Sequence, residues 1–412
     1  MKLVTVDEMR AIEQEADAQG LTYAKMMENA GRGVADAVLE LVFDEDDNTA
    51  LALVGPGNNG GDALVALAHL AARRWKTRAY LVRREPEGDP LVERLKQSGG
   101  EVILAASDAK HKSLAALISE ADVVIDGVLG TGVKLPLKEE VAAVLNAANQ
   151  SIAALDWPPY VVAVDCPSGV DCDTGAVAPE TIPASVTVCM AAVKQGLLKF
   201  PAFDYVGTLQ IADIGLTRKV KSWAALQHDV VDADWVEEAL PERPSDSHKG
   251  TFGTALVAAG SVNYTGAALL AGKAAYRIGA GLVTLAVPSP LHAALAGQFP
   301  EATWALLPHE AGGVSENAVE TLVKHLDRAT AMLIGPGFGM ENTTQKFIEH
   351  LLNGKSSAKK PAARIGFVQA GNEKSEESSM KLPPLVVDAD GLKLLAKIEN
   401  WHKLLPKLSI LT

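Results

Sequence analysis

Cysteine is scarce in this chain of 412 residues, which contains three, at Cys166, Cys172 and Cys189. No two of them form a CxxC pair, so the sequence supports neither a disulfide framework nor a zinc knuckle. Aromatic residues are also few, at 5%, whereas glycine is plentiful, with 35 residues. That mixture is typical of helices packed closely on a sheet with many tight turns.

A surplus of basic residues is missing as well. The 38 Lys and Arg against 51 Asp and Glu give a formal net charge of −13, which lacks the electrostatic footprint of nucleic-acid binding. There is no run of about 20 apolar residues and no signal-peptide pattern at the N-terminus. The histidines show no HExxH motif, which disfavours zinc. We therefore expect a cytoplasmic enzyme that binds neither nucleic acid nor a membrane.

Short apolar runs alternate with amphipathic segments in both halves of the chain. This alternation predicts buried parallel strands joined by helices, an α/β fold with doubly wound sheets. Thr5 and Glu8 have capping-box spacing and predict the start of a first helix. Residues 217–249 are polar and proline-bearing, and we predict a linker there. The predicted strands are residues 50–54, 77–82, 101–104, 122–125, 161–164 and 185–190, then 254–259, 282–287, 331–334 and 385–387.

Three loops that follow predicted strands combine glycine with polar residues. The first, GPGNNGGDA at residues 55–63, leads into a helix, and its free amides favour an anionic ligand such as a phosphate or diphosphate. It matches neither GxGxxG nor GxxxxGKS. The other two loops begin at Asp126 and Asp165. Purely structural turns, with the two aspartates as helix caps, are the alternative interpretation.

The carboxyl ends of parallel strands face one ligand crevice, so the three loops are predicted to converge. Asn59, Asp126 and an oxygen near Ser168 would then form an all-oxygen nest for a hard cation.

Taken together, these motifs resemble those of the NAD(P)H-hydrate epimerases. The matching segments, in family order, are MENAG at residues 27–31, GPGNNGGD, GTGVK at 130–134, VDCPSGVDCDTG at 164–175, Lys194 with Gly196 and Leu197, and DIG at 213–215. One departure is Ala63, where the family usually has glycine. The resemblance implies a Rossmann-like three-layer αβα domain, at least dimeric, that interconverts the R and S forms of hydrated NADH and NADPH.

The resemblance also implies site residues. A potassium ion would lie on Asn59, Asp126 and Ser168. Contacts with the hydrate would fall on Asn58, Asn59, Gly60, Gly61, Asp62, Gly130, Thr131, Gly132, Val133, Lys134, Leu135, Pro136 and Asp165.

The hydrate carries a hydroxyl on C6 next to a ring nitrogen, so inversion proceeds through loss and readdition of water or through ring opening. Either route needs proton transfer. We hypothesise that Asp165 is the general acid/base and that Lys134, with the cation, anchors the phosphates and sets the local charge.

The second half resembles the ADP- or ATP-dependent NAD(P)H-hydrate dehydratases, which have a ribokinase-like fold and occur fused to the epimerase. The matching segments are residues 248–250, 254–267 and 277–282, GPGFG at 335–339 and VVDADGLKLL at 386–395. Ala267 and Gly337 are the ligand contacts predicted here, although structural turns explain the glycine loops about as well.

The family continues into an adenylate-binding segment and a GTGD turn that carries the catalytic base, and neither is among these 412 residues. We thus predict an epimerase domain at 1–216, a linker at 217–249 and an incomplete ribokinase-like domain at 250–412. The latter would lack dehydratase activity and the site for ADP or ATP with Mg²⁺, and it would have an exposed apolar edge. A catalytically silent nucleotide sensor and a small-metabolite kinase are the alternatives; the absent GTGD turn disfavours the kinase.

Overall fold

The computed structural model describes residues 1–42, 47–354 and 380–412. The chain forms two compact units, residues 1–240 and 241–412. The division lies inside the predicted linker, and residues up to Leu240 belong to the first unit. There the amide of Val230 donates to Met1 O at 2.7 Å. None of the helices that the structure describes combines the length and apolar character needed to cross a bilayer.

Unit 1 is built around a parallel sheet in the order β4-β3-β2-β5-β6-β7-β9, and the short β1 pairs with β8. Its strands are β1 (Leu3–Val4), β2 (Thr49–Val54), β3 (Lys76–Leu81), β4 (Glu101–Leu104), β5 (Val123–Gly127), β6 (Tyr160–Val164), β7 (Val186–Met190), β8 (Val193–Lys194) and β9 (Thr208–Ala212). Its helices are α1 (Val6–Ala18), α2 (Tyr23–Leu41), α3 (Asn58–Ala71), α4 (Pro90–Gln97), α5 (Lys112–Ser119), α6 (Glu139–Ala153), α7 (Lys221–Ala224) and α8 (Ala233–Ala239).

The central strand β2 shows why this unit has three layers. Ala50, Ala52 and Val54 belong to one core cluster, which includes buried residues of α1 to α4. Leu51 and Leu53 point the other way, into a second cluster with α5 and α6, because successive strand side chains alternate between the two faces. Helices therefore cover both faces of the sheet, which confirms the predicted αβα architecture. The capping box of Thr5 and Glu8 at the start of α1 is also present.

Unit 2 has an α/β arrangement, with a parallel sheet in the order β12-β11-β10-β15-β16-β17. The last strand, β17, has partly exposed apolar side chains, with Ile410 57% and Leu411 43% exposed. Its strands are β10 (Thr254–Ala258), β11 (Leu282–Pro288), β12 (Thr303–Leu307), β13 (His309–Glu310), β14 (Gly313–Val314), β15 (Ala331–Ile334), β16 (Leu385–Val387) and β17 (Ile410–Leu411). Its helices are α9 (Thr265–Ile278), α10 (Leu291–Leu295), α11 (Ala318–Leu326), α12 (Asn342–Leu352) and α13 (Asp390–Leu395).

Candidate active site

The loops that follow β2, β5 and β6 meet at the carboxyl edge of the first sheet. The chain runs outward from β2 to β4 and then returns to β5 beside β2, which makes this edge a topological switch point. The amide of Gly55 donates to Gly127 O at 3.0 Å, and the amide of Leu129 donates to Ser168 Oγ at 2.8 Å. The three glycine-bearing loops are thus hydrogen-bonded to one another.

The first loop is so tight that two of its positions leave no room for a side chain. A Cβ on Gly55 would lie 1.8 Å from Val128 O, and a Cβ on Gly60 would lie 2.0 Å from Gly55 O. The helix α3 begins inside this segment, at Asn58, with Gly57 as an N-cap that has no side-chain hydrogen bond. The first amides of such a helix are available to an anion.

A buried carboxylate links the second and third loops. Asp126 is 0% exposed. Its carboxylate accepts hydrogen bonds from Ser168 Oγ at 2.6 Å and from the Ser168 amide at 2.8 Å. Asn59 Nδ2 donates to Val164 O and, at 3.4 Å, to Leu129 O. The three residues assigned to potassium therefore lie in one hydrogen-bonded region.

Asp165, at the end of β6, forms a buried ion pair with Lys194 on β8. Lys194 is 0% exposed and Asp165 7%. The same carboxylate oxygen accepts from the Met190 amide at 2.9 Å, and Lys194 Nζ also donates to Met190 O at 3.2 Å. Burial alone would lower the pKa of Lys194, but the charge of Asp165, the hydrogen bond to it and the nearby Cys189 and Cys172 together outweigh burial, and the pKa is raised. The ammonium therefore stays charged and holds the carboxylate in place.

The conformation of Asp165 also argues against the alternative interpretation, in which this residue caps a helix. Its φ is +66°, a left-handed conformation that is uncommon for residues other than glycine, asparagine and aspartate. No helix begins after it within residues 165–185, and the segment forms turns and a bridge instead. Neither Asp165 nor Asp126 accepts the hydrogen bonds of a helix N-cap. Their partners are the amide of Met190 at the end of β7, the loop amides of Ser168 and Val128, and side chains.

A cleft opens beside this ion pair. Four elements and the segment after β9 contribute to its walls, and methionine side chains form much of the apolar part. Two carboxyls, Glu13 of α1 and Asp62 of α3, lie among these groups. The lining residues are Glu13, Tyr23, Met26, Met27, Ala30, Asn58, Asp62, Met190 and Ile214.

Both carboxyls of the cleft are perturbed by burial. Burial raises the pKa of Asp62 well above the usual range, and the charges of Asp165 and Glu13 raise it further. Burial also raises the pKa of Glu13, Asp165 adds to the effect, and Lys194 and Arg10 oppose it. Three carboxyls and one ammonium therefore share this region, an arrangement often found where protons are transferred.

The structure places the remaining predicted residues in different surroundings. Asn58 and Asp62 line the cleft, whereas Lys134 is exposed and makes none of the described contacts of Asp165. Ala267 and Gly337 line a separate cavity in unit 2, together with Tyr264, Asp390 and Lys393. The assigned roles of these residues stay predictions.

Two residues of the site were not assigned a role from the sequence, Glu13 and Lys194. Lys194 lies in a matched motif of the resemblance, and that motif is the only sequence signal that points to it. Glu13 lies on an ordinary amphipathic helix and gives no local signal.

Comparison with known proteins identifies the family. Residues 23–196 match the family described as YjeF-related protein N-terminus, and residues 255–361 match the NAD(P)H-hydrate dehydratase family. A bifunctional NAD(P)H-hydrate repair enzyme of Moorella thermoacetica is 32% identical over 403 residues, which cover 96% of this chain and 70% of the relative. The chain belongs to the bifunctional NAD(P)H-hydrate repair enzymes.

A second relative agrees with this family assignment. The repair enzyme of Salinibacter ruber is 30% identical, with 96% of this chain and 70% of the relative covered. Among solved structures, an ADP/ATP-dependent NAD(P)H-hydrate dehydratase from Bacillus subtilis, co-crystallised with ATP and Mg²⁺, is 27% identical. It covers 37% of this chain and 50% of its own, with a TM-score of 0.26. The first unit of this repair enzyme thus carries the epimerase-type domain and the second the dehydratase-type domain.

Proposed function

We propose that unit 1 interconverts the R and S forms of hydrated NADH and NADPH at C6, with Asp165 as a general acid/base. The observation that carries this proposal is the buried pair of Asp165 and Lys194 beside a cleft at the switch point of the sheet. Lys194 acts as a positioning residue, because its ammonium fixes the carboxylate oxygen that also accepts from Met190.

The chemistry uses the nitrogen next to C6. The N1 lone pair forms a double bond to C6 as the C6–O bond breaks, and the departing oxygen takes a proton and leaves as water. Water then adds to the other face of C6, returns a proton to the protein, and restores the N1 lone pair. No net atoms or electrons are gained. The planar intermediate is cationic, so the carboxylates around the cleft stabilise it electrostatically.

The phosphates of the hydrate would bind at the first loop, where α3 starts. The free amides at the start of α3 suit a diphosphate, and residues Asn58–Asp62 form that first turn. Residues 130–136 form the end of the second loop and the two positions after it, and exposed Lys134 is free to contact phosphate from there. We propose anchoring as its role.

Potassium fits the cluster around Asp126. This carboxylate is fully buried, yet no Lys, Arg or His side chain of the described ranges forms an ion pair with it. Asn59, Asp126 and Ser168 supply amide, carboxylate and hydroxyl oxygens, which are the ligands that hard cations prefer. A bound K⁺ would add one fixed positive charge next to the ligand site. Ser168→Ala should therefore weaken any activation by potassium without abolishing folding.

The decisive experiment follows the R to S conversion of the hydrate by chromatography, with and without potassium. We expect acceleration over the spontaneous rate, and a loss of about 100-fold or more in Asp165→Asn. Asp156→Asn, an exposed carboxyl just before β6, is the matched control and should keep full activity. A wild-type protein that binds the hydrate without accelerating conversion would favour the sensor.

For unit 2 we propose that Ala267 and Gly337 contact a hydrated nucleotide in their shared cavity. The GTGD turn and adenylate-binding segment of the resemblance are not among residues 1–412, so we derive no dehydration step and no ADP, ATP or Mg²⁺ site from these residues. Dimerisation and a cytoplasmic location stay predictions of the sequence.

A further inference from the structure

The cleft contains a carboxyl that neither the sequence motifs nor the proposed role of Asp165 accounts for. We propose that Glu13 is a second acid/base group of the epimerisation, which exchanges a proton with the C6 oxygen when Asp165 is engaged at the other face of the ring. This inference rests on the proposed epimerase function of the same site. It adds a residue from α1, an element outside the three glycine loops.

The first argument is the lack of partners. Within the described ranges, neither Glu13 nor Asp62 forms a side-chain hydrogen bond or an ion pair, although both line the cleft and Asp62 is only 6% exposed. Neither carboxyl is among the sealed polar atoms of the described ranges that lack a partner, so both are open to the cleft. A ligand in the cleft can therefore form hydrogen bonds with them.

The second argument is stereochemical. Epimerisation at C6 removes oxygen from one face of the ring and adds it to the other. A single carboxyl would have to reach both faces, whereas two carboxyls from different walls each need to reach one. Glu13 comes from α1, and Asp165 comes from the loop after β6. Glu13 and Met190 line the same cleft, and the Met190 amide donates a hydrogen bond to Asp165.

The proton balance is complete with these two groups. In one direction, protonated Glu13 gives its proton to the departing C6 hydroxyl, which leaves as water. Ionised Asp165 then takes a proton from the water that attacks the opposite face. The protonation states of the two carboxyls are exchanged at the end, and the reverse reaction uses the opposite states. Solvent restores the starting state between turnovers.

Accessibility distinguishes Glu13 from Asp62. Glu13 is half-buried and borders the open cleft, so it exchanges protons with solvent. Asp62 is nearly sealed and already belongs to the ligand-binding loop. The raised pKa of Glu13, caused first by burial and then by Asp165, brings this carboxyl nearer to neutral pH, where a general acid is effective.

Several charged groups set the titration of Glu13. Asp165 faces it from the loop after β6, Asp62 from α3 and Lys194 from β8, and Arg10 lies on its own helix; the Tyr23 hydroxyl of α2, whose pKa is raised, is uncharged. The negative neighbours favour the protonated carboxyl, while Lys194 and Arg10 favour the ionised one. The pH dependence of the rate therefore reports the titration of Glu13 as these neighbouring charges shift it.

The test compares Glu13→Gln with the wild-type chain in the chromatographic assay across pH. We expect kcat to fall by about 100-fold, KM to change by less than about threefold, and a bell-shaped profile of kcat to lose one limb. Glu13→Asp should recover part of the rate, because it keeps the carboxyl. Asp156→Asn, an exposed carboxyl just before β6, is the control and should match the wild type.

Other outcomes overturn the inference. Glu13→Gln with a kcat within about threefold of wild type and an intact bell would remove Glu13 from the mechanism, and so would a variant with altered melting but unchanged kcat. The wild-type arm separates this failure from that of the proposed function: an inactive wild type removes both, whereas an active wild type with an active Glu13→Gln removes only the role of Glu13.

Discussion

Replacing Lys194 by methionine should destabilise unit 1 more than a substitution at any exposed position. Methionine keeps most of the apolar stem of the lysine but removes the ammonium. Asp165 would then keep the Met190 amide as its described hydrogen-bond donor, at a position that is 7% exposed. Removal of one partner of a buried ion pair costs about 3–5 kcal/mol. That is a large share of the total stability of a domain, which is about 5–15 kcal/mol.

Replacing the other partner, Asp165, by asparagine should reduce the stability of unit 1 by less. In Asp165→Asn the amide oxygen still accepts from the Met190 amide and from Lys194, which loses its proton to become a neutral amine. Asparagine also tolerates the left-handed conformation of this position, with its φ of +66°. We expect a loss of about 1–2 kcal/mol. The double variant should be more stable than Lys194→Met alone, because no unpaired charge remains.

The assay must report unit 1 separately in the intact chain. Hydrogen exchange in increasing urea, read by mass spectrometry on peptides from β6 and from β7 to β8, gives the free energy of opening of that part of the sheet. The three variants and wild type form a double-mutant cycle. A loss below about 1 kcal/mol for Lys194→Met, or a double variant that is no more stable than Lys194→Met, would refute the reasoning.

Three smaller predictions follow from unit 1. Since the folded chain holds the pKa of Asp62 above its unfolded value, stability is lost as pH rises between the two; Asp62→Asn should raise the melting temperature by about 2–4 °C near pH 8 but not near pH 3. Gly60→Ala would press its Cβ to 2.0 Å from Gly55 O and should cost about 1–3 kcal/mol in urea unfolding, whereas Gly57→Ala, with no atom within 4 Å, should change little. Thr5→Ala should cost about 1 kcal/mol by removing the cap of α1, and an unchanged melting curve would contradict this.

The central strands were predictable because they are buried on both faces. The residues of β2, β5 and β7 are all buried, so they read as continuous apolar runs with clear ends. The strands β9 and β12 were not predicted. Each lies at an edge of its sheet and exposes part of its apolar side chains, with Ile211 36% and Leu306 44% exposed. An edge strand has a neighbour on one side only, and its sequence signal is correspondingly weaker.

The residues of the site also differ in how well a single sequence predicts them. The glycine loops are local signals, since the need for Gly55 and Gly60 arises from contacts within or beside one turn. The burial of Lys194 depends on strand β8, which pairs with β1 from the other end of the unit. The perturbation of Glu13 likewise depends on Asp165, more than a hundred residues away in sequence. Such pairings of distant segments leave no spacing pattern in a single sequence.

The candidate site has two parts that differ in charge. The start of α3 offers free amides to an anion, while the cleft concentrates the carboxyls of Glu13, Asp62 and Asp165 against the single ammonium of Lys194. Phosphates are repelled from the carboxyls and attracted to the amides. A hydrated nicotinamide ring, neutral at rest and cationic during inversion, has the opposite preference. For the proposed epimerisation, these charges therefore favour one orientation of the hydrate, with its ring in the cleft, and it is in that orientation that they would lower the barrier.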